Sequence, residues 1–376
     1  MNRIKGRMFV VNDDTFSDTL RSGVASIKYP VLPFKSEWLF TVSSIIADML
    51  QIEIGDYLFF WKTKNGHISS SKSEIYGVYR ATSKPYYECL NQNDDAPFKI
   101  HFEKAYDFIN PITEYELLNC PYINSEPWNI IGKKVSAKGA KRIGRGTSPL
   151  SIEEINNLII LLINRNPNYT YYEFNNRNIV NVINPLQISY RNKGDNSMPH
   201  SLSSFHPNNL NYIKTTFDVQ REKVLEGIFN QEMANYNVSF FAQLDIDVNK
   251  VLWYCNYLPY SIDGMEFDYV IIESDDGFAY SKIKLIEFEK DVIDEDHINR
   301  AIIYSKWLNE RLALGGKIVE PIIICEKCDN FASTTKQKFL DLDEYCNQLE
   351  HNNNIKQLKV YTYDLSGENM IFARKR

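Results

Sequence analysis

Residues 266–307, EFDYVIIESDDGFAYSKIKLIEFEKDVIDEDHINRAIIYSKW, constrain the fold of this chain more than any other stretch. Two apolar runs, FDYVII and KIKLIEFE, flank a segment rich in Asp and Gly at 274–277, and a helical pattern follows. The order reads strand, turn, strand, helix. Carboxylates sit inside the apolar runs: Asp268 in the first, Glu287 and Glu289 in the second. Residues i and i+2 of a strand share a face, so Glu287 and Glu289 point one way while Ile286 and Phe288 point into a core. Pairing of the two strands brings Asp268 towards Glu287. A buried carboxylate pair without a cation is costly. Three acids at the end of a hairpin make a hard oxygen site of the kind that holds Mg²⁺.

The surroundings extend this frame. Residues 219–233 read as a helix carrying Glu222 and Glu226, and 251–257 as a strand. The helix after the second acidic strand, 296–312, sets Arg300 and Tyr304 one turn apart. Then come a nearly continuous apolar strand at 317–325, of the kind covered on both faces, a helix from about 334 to 349, and a strand at 358–363. Strand–strand–strand–helix–strand–helix–strand is an α/β sandwich with a mixed sheet.

This order, with Asp268, Glu287-Phe288-Glu289 and the Arg300–Tyr304 helix, resembles the core of the PD-(D/E)XK nucleases over residues 215–376. Two positions depart from that family: Glu289 stands where a Lys is usual, and Arg300 where a Gln is usual. The resemblance implies a Mg²⁺-dependent phosphodiesterase with Asp268, Glu287 and the Phe288 backbone carbonyl as metal ligands. It assigns Glu289 to the attacking water or a second metal, a carboxylate of the first helix to a supporting catalytic role, for which Glu226 is taken because it adjoins Leu225 at the edge of the apolar face, and Arg300 and Tyr304 to the nucleic-acid phosphate. Lys290 faces away from the acids on a regular strand and joins them only through a bulge.

The N-terminal half has a different texture. Short strands are expected at 7–12, 57–61, 75–82 and 98–102, with a helix at 43–50 and a hairpin signal at Asn65-Gly66. Strands at this spacing imply a small curved sheet or barrel. Ser151 and Glu154 form a capping-box pair ahead of a helix with apolar residues at 152, 155, 158, 159 and 162. The stretches 7–12, 54–61, 75–87 (IYGVYRATSKPYY) and 130–163 resemble the EVE/YTH branch of the PUA-like fold over about residues 1–165. That branch implies a flipped or modified base held against an aromatic wall. Trp38, Trp61 and Trp128 are the tryptophans of this half, and each is either such a wall or core; Trp38 and Trp61 are taken as the candidates. A loop with six cations and no acid (Lys133, Lys134, Lys138, Lys141, Arg142 and Arg145) suits phosphate contacts or is a solvated loop.

Residues 166–215, crowded with Asn, Tyr, Pro and Ser, read as a partly structured linker with a strand at 179–188 and two histidines, His200 and His206. The domains expected are therefore 1–165, 166–215 and 216–376. With 44% apolar and 24% charged residues the chain has the composition of a folded soluble protein, and no run of eighteen apolar residues spans a membrane. Six scattered cysteines, with one Cys325-X-X-Cys328 and no second pair, fit reduced cytosolic thiols rather than zinc. Residues 221–376 hold 18 Lys and Arg against 27 Asp and Glu, whereas residues 1–220 hold 24 against 21, an acidic metal-binding half beside a mildly basic one. The sequence thus leads to a cytoplasmic prokaryotic restriction-type endonuclease acting on double-stranded DNA. It is expected to be a homodimer, because cutting both strands needs two sites. The alternative is a non-catalytic modified-base or RNA-binding protein with an inactive nuclease-like domain.

Overall fold

A computed structural model describes residues 5–28, 38–63, 73–88, 96–118, 147–188, 217–259, 266–277, 281–311, 318–335, 338–353, 357–366 and 369–376. They form a mixed α/β protein around two mixed sheets. The strands of the first are β1 (Gly6–Asn12), β2 (Val24–Ile27), β3 (Tyr57–Thr63), β4 (Glu74–Ala81), β5 (Tyr86–Tyr87), β6 (Phe98–Lys104), β7 (Ile112–Thr113) and β8 (Thr147–Leu150). They run in the order β2-β6-β4-β3-β1-β8, with β5 on β6 and β7 on β4. This sheet curls into a half-barrel, with β1 and β3 parallel and the other pairs antiparallel. Its helices are α1 (Asp13–Ser22), α2 (Trp38–Leu50), α3 (Glu114–Leu118) and α4 (Ile152–Arg165). Ser151 and Glu154 do form the reciprocal cap of α4, with the Ser151 N–H donating to Glu154 Oε2 at 2.7 Å and the Glu154 N–H to Ser151 Oγ at 3.1 Å.

The second sheet has the order β16-β15-β12-β11-β10-β9. Its strands are β9 (Val251–Pro259), β10 (Glu266–Glu273), β11 (Lys282–Val292), β12 (Ile318–Lys327), β15 (Lys359–Ser366) and β16 (Asn369–Arg374). The centre is parallel (β11–β12–β15) and both flanks are antiparallel. Helices α5 (Phe217–Ala234), α6 (Val238–Ala242), α7 (Glu295–Arg311) and α8 (Leu342–Asn353) belong to this half. Two readings of the sequence need correction. Residues 333–335 and 338–340 are not the start of a helix but two paired antiparallel strands, β13 (Ser333–Thr335) and β14 (Lys338–Leu340), and α8 begins only at Leu342. Residues 179–188 are not a strand: they make an isolated bridge, Pro185 to Tyr86, and scattered backbone hydrogen bonds to the first half, but no ladder.

The described part of the expected linker, residues 166–188, packs on the first sheet. Backbone hydrogen bonds from Tyr172 to Ala105, Val180 to Thr82 and Leu186 to Pro85 run residues 166–188 along the first sheet. Leu186 and Ile188 are buried where the two halves meet.

The halves share one apolar core. It runs from Phe9, Phe60 and Phe98 through Val42, Ile46 and Met49 of α2 to Leu225 and Phe229 of α5, and on to Tyr269 and Phe288 of the second sheet. Helices α2 and α5 approach closely at Gly227, where an added Cβ would stand 2.4 Å from Ile188 Cδ1 and 3.6 Å from the Ala47 Cα. The Ile188 side chain can turn away, but the α2 backbone cannot. Gly227→Leu is therefore expected to destabilise the fold by about 1–3 kcal/mol, the scale of overpacking, read as a lower urea midpoint.

Polar groups cross the same boundary. The Trp253 indole donates to the Leu150 carbonyl at 3.0 Å, and Lys5 Nζ donates to the Tyr254 hydroxyl at 2.9 Å. Arg7 of β1 pairs with Asp48 of α2 at 3.1 Å, and its Nη1 donates to Gln51. Asn256 of β9 donates to Asp48 at 3.0 Å and lies 3.4 Å from Glu226 of α5, which holds Lys223. These groups are nearly all inaccessible to solvent. Among the described residues no helix is long and apolar enough to cross a membrane.

Candidate functional site

The second sheet opens at one end. The β10–β11 ladder runs from Glu273–Lys282 to Tyr269–Ile286 and stops. Beyond it, the Asp268 carboxylate takes the place of a backbone acceptor: Phe288 N–H donates to Asp268 Oδ2 at 2.9 Å, and Asp268 N–H approaches Glu287 Oε1 at 3.4 Å. The period of two divides β11 as the sequence implies. Ile286 and Phe288 enter the core, with Phe288 edge-on to Phe229 of α5 at 4.9 Å. Glu287 and Glu289 face the side covered by α7.

At this opening lies a cavity of about 300 Å³ lined by Glu222, Glu266, Asp268, Glu287, Phe288, Glu289, Lys290, His297, Arg300 and Tyr304. The residues inferred from the central motif are therefore brought together: Asp268, Glu287, Phe288, Glu289, Arg300 and Tyr304. Tyr304 contributes as part of the wall, its ring largely buried against Phe267 at 4.9 Å.

The α5 carboxylate that lines the cavity is Glu222, not Glu226. Glu226 lies one turn further along, wholly buried, bonded to Lys223 and close to Asn256. The sequence placed it at the edge of the apolar face, but the partner helix α2 covers that face too. Trp61 is also core rather than wall: 9% exposed, it packs in the cluster of Met8, Phe59, Ile75 and Leu150. Trp38 is the first residue of α2 rather than part of a loop. Trp128, Lys133, Lys134, Lys138, Lys141, Arg142, Arg145, Asn65-Gly66, His200 and His206 lie outside the described residues.

Lys290 reaches the cavity by the route that strand geometry demands. The β11–β12 register shifts between Glu289, which faces Cys325, and Val292, which faces Lys327, so β11 carries one extra residue. This bulge turns Lys290 onto the wall that holds Glu287 and Glu289. His297 is the residue that sequence reasoning passed over. Its N–H donates to Asp294 Oδ1 at 3.0 Å at the start of α7, and a cap of that form, Asp-X-X-His, is legible in the sequence.

The charges interlock. Arg300 donates to Glu289 Oε1, and its Nε lies 3.4 Å from Glu287 Oε2. His297 Nε2 is 2.9 Å from Glu289 Oε2, and its Nδ1 is 2.8 Å from Asp294 Oδ1. With carboxylates at both ring nitrogens, the imidazolium is favoured and the His297 pKa rises, chiefly through the bond to Glu289. Burial raises Asp268 above the usual carboxylate range, Lys223 and the Phe288 N–H offsetting part of the effect. Burial raises Glu287 well above it, reinforced by the Asp268 charge and opposed by Arg300. Glu222 is raised by burial and by Asp268.

This donor set fits a hard divalent cation: two desolvated carboxylates whose ionised forms lack full compensation, beside a backbone carbonyl. Among the described residues no three His, Cys, Asp or Glu side chains already stand arranged as a metal cage. A pH dependence follows. Asp268 and Glu287 bind protons more tightly folded than unfolded. Their contribution to stability is thus full below the ordinary carboxylate pKa of about 4 and is lost as pH rises through the elevated folded values. In EDTA the urea midpoint is expected to fall from pH 5 to pH 8, less so in an Asp268→Asn/Glu287→Gln protein, and Mg²⁺ is expected to restore it at pH 8.

No family model and no curated protein matches the chain. A solved structure, the X-ray crystal structure of protein Atu2648 from Agrobacterium tumefaciens, matches at 11% identity with a TM-score of 0.28, over 42% of this chain and 92% of that one. So loose a superposition carries no argument about fold or function.

Proposed function

We propose that this protein is a Mg²⁺-dependent DNA endonuclease of the PD-(D/E)XK type, with a PUA-like, EVE-like N-terminal half that selects the target. The observation that carries this reading is the convergence of Asp268, Glu287 and Glu289, with Arg300 and Lys290, on one cavity at the open end of a mixed sheet. Asp268, Glu287 and the Phe288 carbonyl would hold Mg²⁺, which supplies Lewis-acid activation of water and phosphate. The chain's own residues do the rest. Glu289 anchors Arg300 and His297 to the wall. Lys290 presents an ammonium at the mouth, where it orients the attacking water or the phosphate. Arg300 offers a guanidinium to the phosphate oxygens. Tyr304, its ring packed on Phe267, closes the wall against bulk water.

The substrate proposed is double-stranded DNA, cut by a homodimer in a prokaryotic cytoplasm, with base modification read by the first half. A non-catalytic reader is the second reading, favoured by the ion pairs that Arg300 and His297 make with Glu289. Cleavage of unmodified, 5-methylcytosine and 5-hydroxymethylcytosine duplexes with Mg²⁺ separates the two. Cutting of any of them supports the nuclease, and a preference among them assigns modification reading. Binding without cutting supports the reader.

A further inference from the structure

We infer that Arg300 is the resident counter-ion of the carboxylate cluster, and that a metal ion and Arg300 compete for Glu287, so that metal entry releases the guanidinium to a phosphate in the cavity. The inference rests on the nuclease reading above and concerns the order in which its ligands bind.

Glu287 is 2% exposed and sits in the central sheet, so its carboxylate cannot turn to solvent. The Arg300 guanidinium stands against it, with Nε 3.4 Å from Glu287 Oε2 and Nη2 on Glu289. It stands at Oε2, one of the two carboxylate oxygens a cation on Glu287 would draw on. The fit is incomplete: Arg300 Nε is buried and makes no hydrogen bond, because the approach to Glu287 lacks the required alignment. A guanidinium shared between two carboxylates satisfies neither fully, whereas a dication on Glu287 and Asp268 would satisfy both. Arg300 can move. Its side chain is 40% exposed, and it borders a cavity of about 300 Å³. The His297 contact holds Glu289 in place when Arg300 leaves, because it uses the other oxygen, Oε2.

Competition for one carboxylate is a linkage relation: whatever holds Arg300 away from Glu287 strengthens metal binding by the same factor. Phosphate is the anion that a freed guanidinium at this wall would take, so DNA and metal should bind cooperatively.

The test is calorimetric titration of Mn²⁺ into the full chain without nucleotide, then with a duplex oligonucleotide present. Arg300→Met is expected to bind Mn²⁺ about tenfold more tightly than the unsubstituted chain, the equivalent of about 1.4 kcal/mol. Arg300→Lys, which keeps the charge, should stay near the unsubstituted value. DNA should tighten Mn²⁺ binding in the unsubstituted chain and much less in Arg300→Met. A residue with a merely structural role would not raise metal affinity on removal. Equal or weaker Mn²⁺ binding by Arg300→Met overturns the competition and leaves the nuclease reading standing. If no variant binds Mn²⁺, with or without duplex, both fall together.

Discussion

Glu287→Ala is expected to lower Mg²⁺-dependent cleavage by about a thousandfold or more, the scale on which loss of a preorganised charge contact acts. Glu287 joins three parts of the site: the Asp268 backbone across the opened ladder, the Arg300 guanidinium, and the cavity itself. Burial already holds the Glu287 pKa well above the ordinary range, so the charged carboxylate is a liability to the metal-free fold at neutral pH. Glu287→Gln, which keeps the shape, should raise the urea midpoint at pH 8 while also abolishing cleavage. A cleavage rate within tenfold of the unsubstituted protein would remove Glu287, and with it the metal reading, from the mechanism.

Asp48→Ala is expected to destabilise the protein by about 3–5 kcal/mol, the cost of leaving a buried charge without its partner. Asp48 is 1% exposed and receives Arg7 at 3.1 Å and Asn256 at 3.0 Å, one from each half of the molecule. The Arg7 guanidinium would keep Gln51 and Thr147 but lose this carboxylate. Denaturant unfolding of the full chain reads the effect directly. Because Asn256 also lies near Glu226, which bonds Lys223 beside the site, the variant should weaken Mn²⁺ binding as well. An unfolding midpoint unchanged by Asp48→Ala would show that the Arg7 and Asn256 contacts to Asp48 do not hold the halves together.

What the sequence made legible was local. The period of two in KIKLIEFE put Glu287 and Glu289 on one face. The Ser151–Glu154 cap and the periodicity behind it marked α4. What it did not make legible depended on partners distant along the chain. On α5, Lys223, Glu226 and Asn230 are all buried, because α2, some 180 residues earlier, covers what a solitary amphipathic helix would leave to water. This is why Glu226 looked like the boundary residue and Glu222 was passed over. Lys290 was legible only as a conditional statement, since a bulge is set by pairing with β12 and not by letters in β11. The paired strands β13 and β14 escaped for a related reason: a few β-prone residues beside a strong helical run are absorbed into the helix. Within the partly structured linker expected at 166–215, the packing of 166–188 on the first sheet was not legible, because Asn-, Tyr- and Pro-rich composition describes solvent exposure as well as it describes disorder.

The shared core of α2 and α5 bears on how such a protein acquires new targets. An enzyme whose reading and cutting parts meet across a wet, separable boundary can exchange one part for another by recombination at the joint. Here any cut between the sheets passes through the apolar core that α2 and α5 share and through buried hydrogen bonds of Trp253, Asn256 and Lys5. A different N-terminal half grafted onto residues 217–376 would have to bring its own copy of the α2 surface, down to the small residue opposite Gly227 and the acid opposite Asn256. On the proposed reading, specificity in this lineage changes by substitution in place, at the rim of a scaffold whose interior is fixed.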